Sequence, residues 1–257
     1  YTATTNTSTT GRGKDFEKKM EGRLVIVLPE AQINFIESSE PAQLKIKFDG
    51  SEMVLTKKGV DHELRLRDPR AKSNSFKANE AKRLVEVLGP SIPVEVHLDE
   101  GQVRLTQWSK DVLLDIQKGK VFAKNCKTSL AVQLKRGEIL VSDHQGRLVV
   151  DSYAGNVLIR NLNGNLDLDN FSVESNLEKS KGRFDIHQTT GAVKVTQSAG
   201  NLQFDIGRAT MNSTLFSGRV EGQSQEGAVS ISMTSNSEVN VRAQMGRVTI
   251  QTVPGVA

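Results

Sequence analysis

Cysteine is almost missing from this chain of 257 residues: Cys126 stands alone, so no internal disulfide forms and a cysteine-based zinc site is not expected. Aromatic residues make up only 5% of the chain and apolar residues 37%, a composition that argues against a helical bundle with broad apolar stripes. No run of 18 apolar residues occurs, so no segment reads as a membrane-spanning helix. An excess of one charge is missing too. With 34 basic against 30 acidic residues the net charge is +4, and nucleic-acid binding is not implied. Nor is there a nucleophile motif, a phosphate loop or a dinucleotide fingerprint.

Glycine is what the chain does have, 21 residues of it, and its placement is periodic. In GRFDIHQTTGAVKVTQSAGNLQFDIG, glycines 182, 191 and 200 are each followed by alternating polar and apolar residues. Apart from Gly207 and Gly222, the glycines from Gly101 to Gly255 are spaced by nine or eighteen, with one inserted residue between Gly227 and Gly246. Positions two and four after the glycine share one face of a strand, because side chains alternate. They include Val103 and Leu105, Ile139 and Val141, Leu166 and Leu168, Phe184 and Ile186, and Val248 and Ile250.

A nine-residue unit cannot bury its apolar face alone, so units must stack on one another. Two units per coil are favoured over three. Arg147, Asn165, Arg183, Asn201 and Arg219 recur at 18 residues, as do Trp108, Cys126, His144 and Leu162. The expected fold is therefore all-β: a β-solenoid, parallel β-helix-like, with 18 residues per coil and a strand-rich N-terminal cap region. Residues 1–15 read as a Thr-rich flexible leader, 16–82 as the cap region and 83–257 as the repetitive solenoid.

The nine-residue period invites comparison with calcium-binding β-rolls, but the turns HQTTG, TQSAG and RNLNG lack paired glycines and a regular aspartate. Cys126 and His144, one coil apart, are two potential ligands where zinc needs three or four. No cofactor, metal site or catalytic residue is expected. His62 and His97 have no evident partner in the pattern.

Two surfaces stand out instead. One collects Arg147, Asn165, Asp167, Arg183, Asp185, His187, Asn201 and Arg219, with Asp151, Asp169, Asp205 and Glu221 near them. It is a candidate ligand-binding face for a polymer, set against its reading as a solvated surface. The other arises because the third position after the glycine, expected to face solvent, is apolar at Leu113, Phe122, Leu140, Val149 and Leu158. Strands apolar on both sides are covered on both sides. The expected cover is the N-terminal strands with the 68–82 loop; a subunit or partner interface is the alternative.

The chain resembles the bacterial putative-adhesin β-strand-repeat family. The likeness runs from EGRLVIVLPEAQINFI through IPVEVHLDEGQVRL into GNVLIRNLNGNLDLDN and GAVKVTQSAGNLQFDIG, over residues 16–255. It implies an extracytoplasmic, envelope- or surface-associated module without known catalytic residues. Its partner would be a surface polymer, a polysaccharide or an envelope protein. A bactofilin-like, self-assembling scaffold is the second reading, opposed by the N-terminal cap region and by Pro254 near the last strand. A polysaccharide-processing enzyme is the third.

Overall fold

The structure, a computed structural model, describes residues 16–18, 22–39, 44–48, 53–66, 84–234 and 237–253. The leader at 1–15, the loop at 68–82 and Pro254 lie outside them.

The N-terminal strands are β1 (Phe16–Lys18), β2 (Leu24–Glu37), β3 (Leu44–Phe48), β4 (Met53–Lys58), β5 (Asp61–Leu66) and β6 (Leu84–Gly89). The central ones are β7 (Val94–Thr106), β8 (Val112–Lys124), β9 (Leu130–Ser142), β10 (Gln145–Arg160), β11 (Asn163–Glu178) and β12 (Lys181–Thr196). Then follow β13 (Ala199–Ile206), β14 (Thr210–Ser224), β15 (Val229–Thr234), β16 (Glu238–Ala243) and β17 (Val248–Val253). Among the described residues there is no helix.

From β7 onward the pairing is parallel, and each residue meets the one 18 positions on: Val94 with Val112, Leu148 with Leu166, Leu166 with Phe184. After Gly227 the step becomes 19, as in Val229 with Val248, which absorbs the inserted residue. The protein is thus a parallel β-solenoid with one coil per rung. Each coil has a front face (148–151 in β10), a bend edge around Gly155, a back face (157–160) and a corner at 161–163.

Side chains of alternate residues on both faces meet inside. Leu148, Val150, Val157 and Ile159 in one coil are no more than 1% exposed, and Phe184, Ile186, Val193 and Val195 two coils on no more than 2%. Each such side chain contributes about 1.5–3 kcal/mol when fully buried. Even the corners leave few backbone groups idle: Asn125 N donates to Ser142 O at 3.1 Å and Asp143 N to Arg160 O at 3.0 Å.

Two backbone devices turn the coil. At the bend edge, a Cβ added to Gly137 would lie 1.8 Å from the carbonyl oxygen of Gly119 one rung back. Close backbone stacking therefore demands glycine from Gly101 to Gly155, whereas Val173 takes the equivalent place one rung on. The tight left-handed corner is not made by glycine. Gln107, Asn125, Asp143, Asn161, Lys179, Gln197 and Leu215, each 18 after the last, hold φ between 50° and 56°. Asn and Asp accept this conformation readily, whereas Leu215 does so at a cost. The residue after each corner turns inward, which is why Trp108, Cys126, His144, Leu162 and Phe216 are buried.

The stack begins before residue 83. β2 lies parallel on β7 along both faces, from Leu24 with Val94 to Ile36 with Thr106. The chain then leaves the coil and returns on the outer side of β2, where β5 covers its front half and β6 its back half. β4 joins β5, β3 joins β6 and β1 joins β3, all antiparallel. These strands extend the stack at its end by edge pairing. They do not drape over the walls of β8–β10, so the expected intramolecular cover is absent among the described residues.

Candidate functional site

The residues named for the polar face lie together on the front. Arg147, Asn165, Arg183, Asn201 and Arg219 form one column in register. Asp167, Asp185, Gln203 and Glu221 form the next, and Asp151, Asp169, His187 and Asp205 the third. Rungs of a sheet lie about 4.8 Å apart, so every column is a ladder with that repeat.

The ladders largely neutralise themselves. Arg147 lies 3.6 Å from Asp167, Arg219 pairs with Glu221, and His187 Nε2 is 3.3 Å from Asp185. Gln223 donates to Asp205 at 2.8 Å. Arg183 has no ion pair among the described residues. Burial raises the Asp151 carboxyl above its ordinary range, helped by Asp169 one rung on. Asp151, Asp167, Asp169, Asp185, Asp205 and Glu221 outnumber the three arginines, so this face is acidic. A shallow depression of about 400 Å³ lies among His187, Asp205, Glu221, Gln223 and Arg242. Beneath it Gly222 leaves room in the interior for the Phe204 ring, which a Cβ there would meet at 2.5 Å.

The apolar set does not form one surface. Leu113 and Val149 project from the front, flanking Ala131, while Phe122, Leu140 and Leu158 project from the back in register. The third position after a glycine alternates between faces because successive nine-residue units lie on opposite walls. Leu113 is 36% exposed and the others are half-buried. Arg104 covers part of Phe122, its guanidinium 5.1 Å from the ring centre.

At the corner, Cys126 and His144 are fully buried in the column that holds Trp108 and Leu162. Burial pushes the Cys126 thiol up and the His144 imidazole down, so both are held neutral. Neutral and sealed, they lack the properties of a nucleophile pair. Among the described residues no group of three or more His, Cys, Asp or Glu is placed to hold a metal.

His97 does have partners. Its Nε2 lies 2.8 Å from Glu95 and its Nδ1 3.4 Å from Asp115 on the next rung. Burial lowers its affinity for a proton, but the two carboxylates outweigh that and raise its pKa. Glu95 is lowered in turn by His97 and by Arg23. The coil register pairs His97 with Asp115, 18 residues on; this signal was present in the sequence.

The sequence reading also passed over Tyr153 and Phe171. They are 54% and 44% exposed at the bend edge, with rings stacked 4.7 Å apart and inclined by 6°. Two aromatics 18 apart, in a chain with few of them, carried the signal.

No known protein family matches the chain, and no curated protein does. Among solved structures the chain is similar to a putative adhesin from Bacteroides fragilis, with 14% identity, a TM-score of 0.36, and 95% of this chain and 98% of that one covered. It is similar to a putative lipid binding protein from Parabacteroides distasonis, with 12% identity, a TM-score of 0.39, and 95% and 97% covered. A third is a putative cell adhesion protein from Clostridium sporogenes, with 14% identity, a TM-score of 0.24, and 94% and 100% covered.

Proposed function

We propose that this protein is a non-enzymatic, adhesin-like binding module of the cell envelope or surface, acting outside the cytoplasm. The observation that carries the reading is the set of exposed columns along the front face: Arg147–Asn165–Arg183–Asn201–Arg219 and its two neighbours. A rigid wall that repeats the same polar groups at one-rung intervals suits many weak contacts to a repeating polymer, whose effects multiply. The surplus of carboxylates favours an uncharged, hydroxyl-rich partner on this face. The resemblance of the repeat to the adhesin family supports the location.

Co-sedimentation of the chain with isolated envelope polysaccharide tests this. Binding is expected, weakened by replacing Arg147, Arg183 and Arg219 together with Ala. Unchanged binding removes the front face from the role, and release of new sugar ends from the polymer favours an enzyme.

The second reading, a self-assembling scaffold, is favoured by Phe122, Leu140 and Leu158, an apolar column with no described segment over it. Light scattering of wild type and Phe122→Asp separates the two. A wild-type monomer supports the binding module, whereas an oligomer that the variant splits into folded monomers supports the scaffold.

A further inference from the structure

At the bend edge, Gly101, Gly119, Gly137 and Gly155 follow one another in register. Backbone stacking requires glycine there, and the consequence at the surface is a trench of about 380 Å³ floored by main chain. Glu100, Lys118 and Arg136 line one side; Gln102, Lys120, Glu138 and Asn156 line the other. Two of these cations are spoken for: Lys118 lies 3.0 Å from Glu100 and Lys120 2.8 Å from Glu138. Arg136 and its neighbour Lys135 have no ion pair among the described residues. Lys135 occupies the same phase of the coil as Tyr153 and Phe171, whose stacked rings stand in solvent beyond it.

We propose that this edge binds a short stretch of an acidic polysaccharide. The apolar face of a sugar ring rests on the Tyr153–Phe171 pair, and its carboxylates are met by Lys135 and Arg136. The proposal rests on the binding-module reading and places an acidic ligand at the edge, apart from the uncharged partner of the front face. Exposed aromatics and free cations together match a ligand that is part hydrocarbon, part hydroxyl and only sparsely charged. Two free cations are few for a nucleic-acid strand, which carries a phosphate charge at every nucleotide. The stack also stabilises the fold by about 0.5–1.5 kcal/mol, so binding and stability must be measured separately.

The experiment is calorimetric titration of the full chain with a hyaluronan hexasaccharide, with cellohexaose and an oligothymidylate as comparisons, at low and moderate salt. Saturable binding of the acidic sugar is expected, weaker for cellohexaose and weakened by salt. Replacing Tyr153 and Phe171 with Ala is expected to weaken it by about tenfold or more, and Lys135→Gln with Arg136→Gln by about tenfold. Thermal unfolding confirms that each variant remains folded, and Tyr153→Leu with Phe171→Leu preserves apolar bulk while removing the rings. Lys194→Gln, on the back wall away from the edge and the front face, should bind like wild type.

No saturable binding of the acidic hexasaccharide at millimolar concentration overturns the proposal. So does affinity that the edge variants leave unchanged, or a preference for the oligothymidylate. Loss of binding in the front-face variant alone overturns the edge assignment but leaves the binding-module reading standing. That reading fails by a different result, self-assembly of the wild-type chain.

Discussion

Between Val94 and Ser142 the walls of the solenoid are apolar inside and partly apolar outside; between Gln145 and Ser224 they are largely polar outside and carry a polar column within an otherwise apolar interior. The inward column Leu98, Ile116 and Leu134 continues as Ser152, Asn170 and Gln188, all fully or nearly fully buried. Outside, Leu113, Phe122 and Leu140 give way to Asp167, Asp185 and Lys194. The backbone does not register the change, because the same 18-residue pairing runs through both regions. The two regions share the ladder and an apolar interior, and the second also has to hydrogen-bond the polar column inside it.

The polar column meets this demand incompletely. Asn170 donates to Ser175 at 2.9 Å, Ser175 to Gln188 at 2.8 Å, and Gln188 to the Val173 carbonyl at 2.6 Å. The hydroxyls of Ser152 and Ser213 and the Oδ1 of Asn170 have no partner among the described residues. Such orphans cost free energy that an apolar filling would not.

The largest expected effect tests what the regions share. Gly137→Ala at the bend edge and Gly182→Ala just past the corner each force a Cβ to 1.8 Å from a carbonyl oxygen, one in each region. Both should lose about 3 kcal/mol or more in urea unfolding. If one region tolerates its alanine, close backbone approach between rungs is not what sustains the coil there.

The fillings differ, and truncation should show it. Leu134→Ala is expected to lose about 3 kcal/mol through the cavity it leaves. Gln188→Ala should lose about 2 kcal/mol, since Ser175 and the Val173 carbonyl are left without it. Ser152→Ala should instead gain about 1 kcal/mol by removing an orphan hydroxyl. A loss at Ser152 would mean that its hydroxyl is satisfied and the comparison of the two interiors is overdrawn.

Two histidines provide the smallest and most discriminating test. His97, in the apolar region, has a pKa raised above 6.5, so its contribution is complete below that pH and lost as pH rises through the folded value. His144, at the junction, has a lowered pKa. The unfolded chain takes up a proton that the buried ring refuses, so stability falls as pH drops below 6.5. Urea unfolding at about pH 5.5 and about pH 8 should show His144→Leu losing the acid sensitivity and His97→Gln losing the alkaline one.

The periodic glycines made the coil legible, and the inward pairs such as Phe184 and Ile186 follow from alternation alone. Which glycine turns the chain was not legible. The corner is formed at Asn125, Asp143 and their equivalents, while the glycines mark close backbone approach, and both appear in sequence only as small or polar residues between strands. The candidate front face was readable because a fixed period places 147, 165 and 183 in line. Its acidic balance depends on columns two and four residues away, which acquire meaning only once they share a wall.

The sequence by itself determined the period, the alternation and hence an all-β stack of 18-residue coils, because these depend on local chemistry repeated at a fixed interval. The tertiary structure decided what lies across from what. Successive nine-residue units occupy opposite walls, so one apolar series became two separate surfaces. The N-terminal strands joined the end of the stack because unpaired backbone edges bind strands more strongly than a wall already hydrogen-bonded can. The bend brought exposed aromatics beside a trench and free cations, an arrangement made by stacking rather than by any motif.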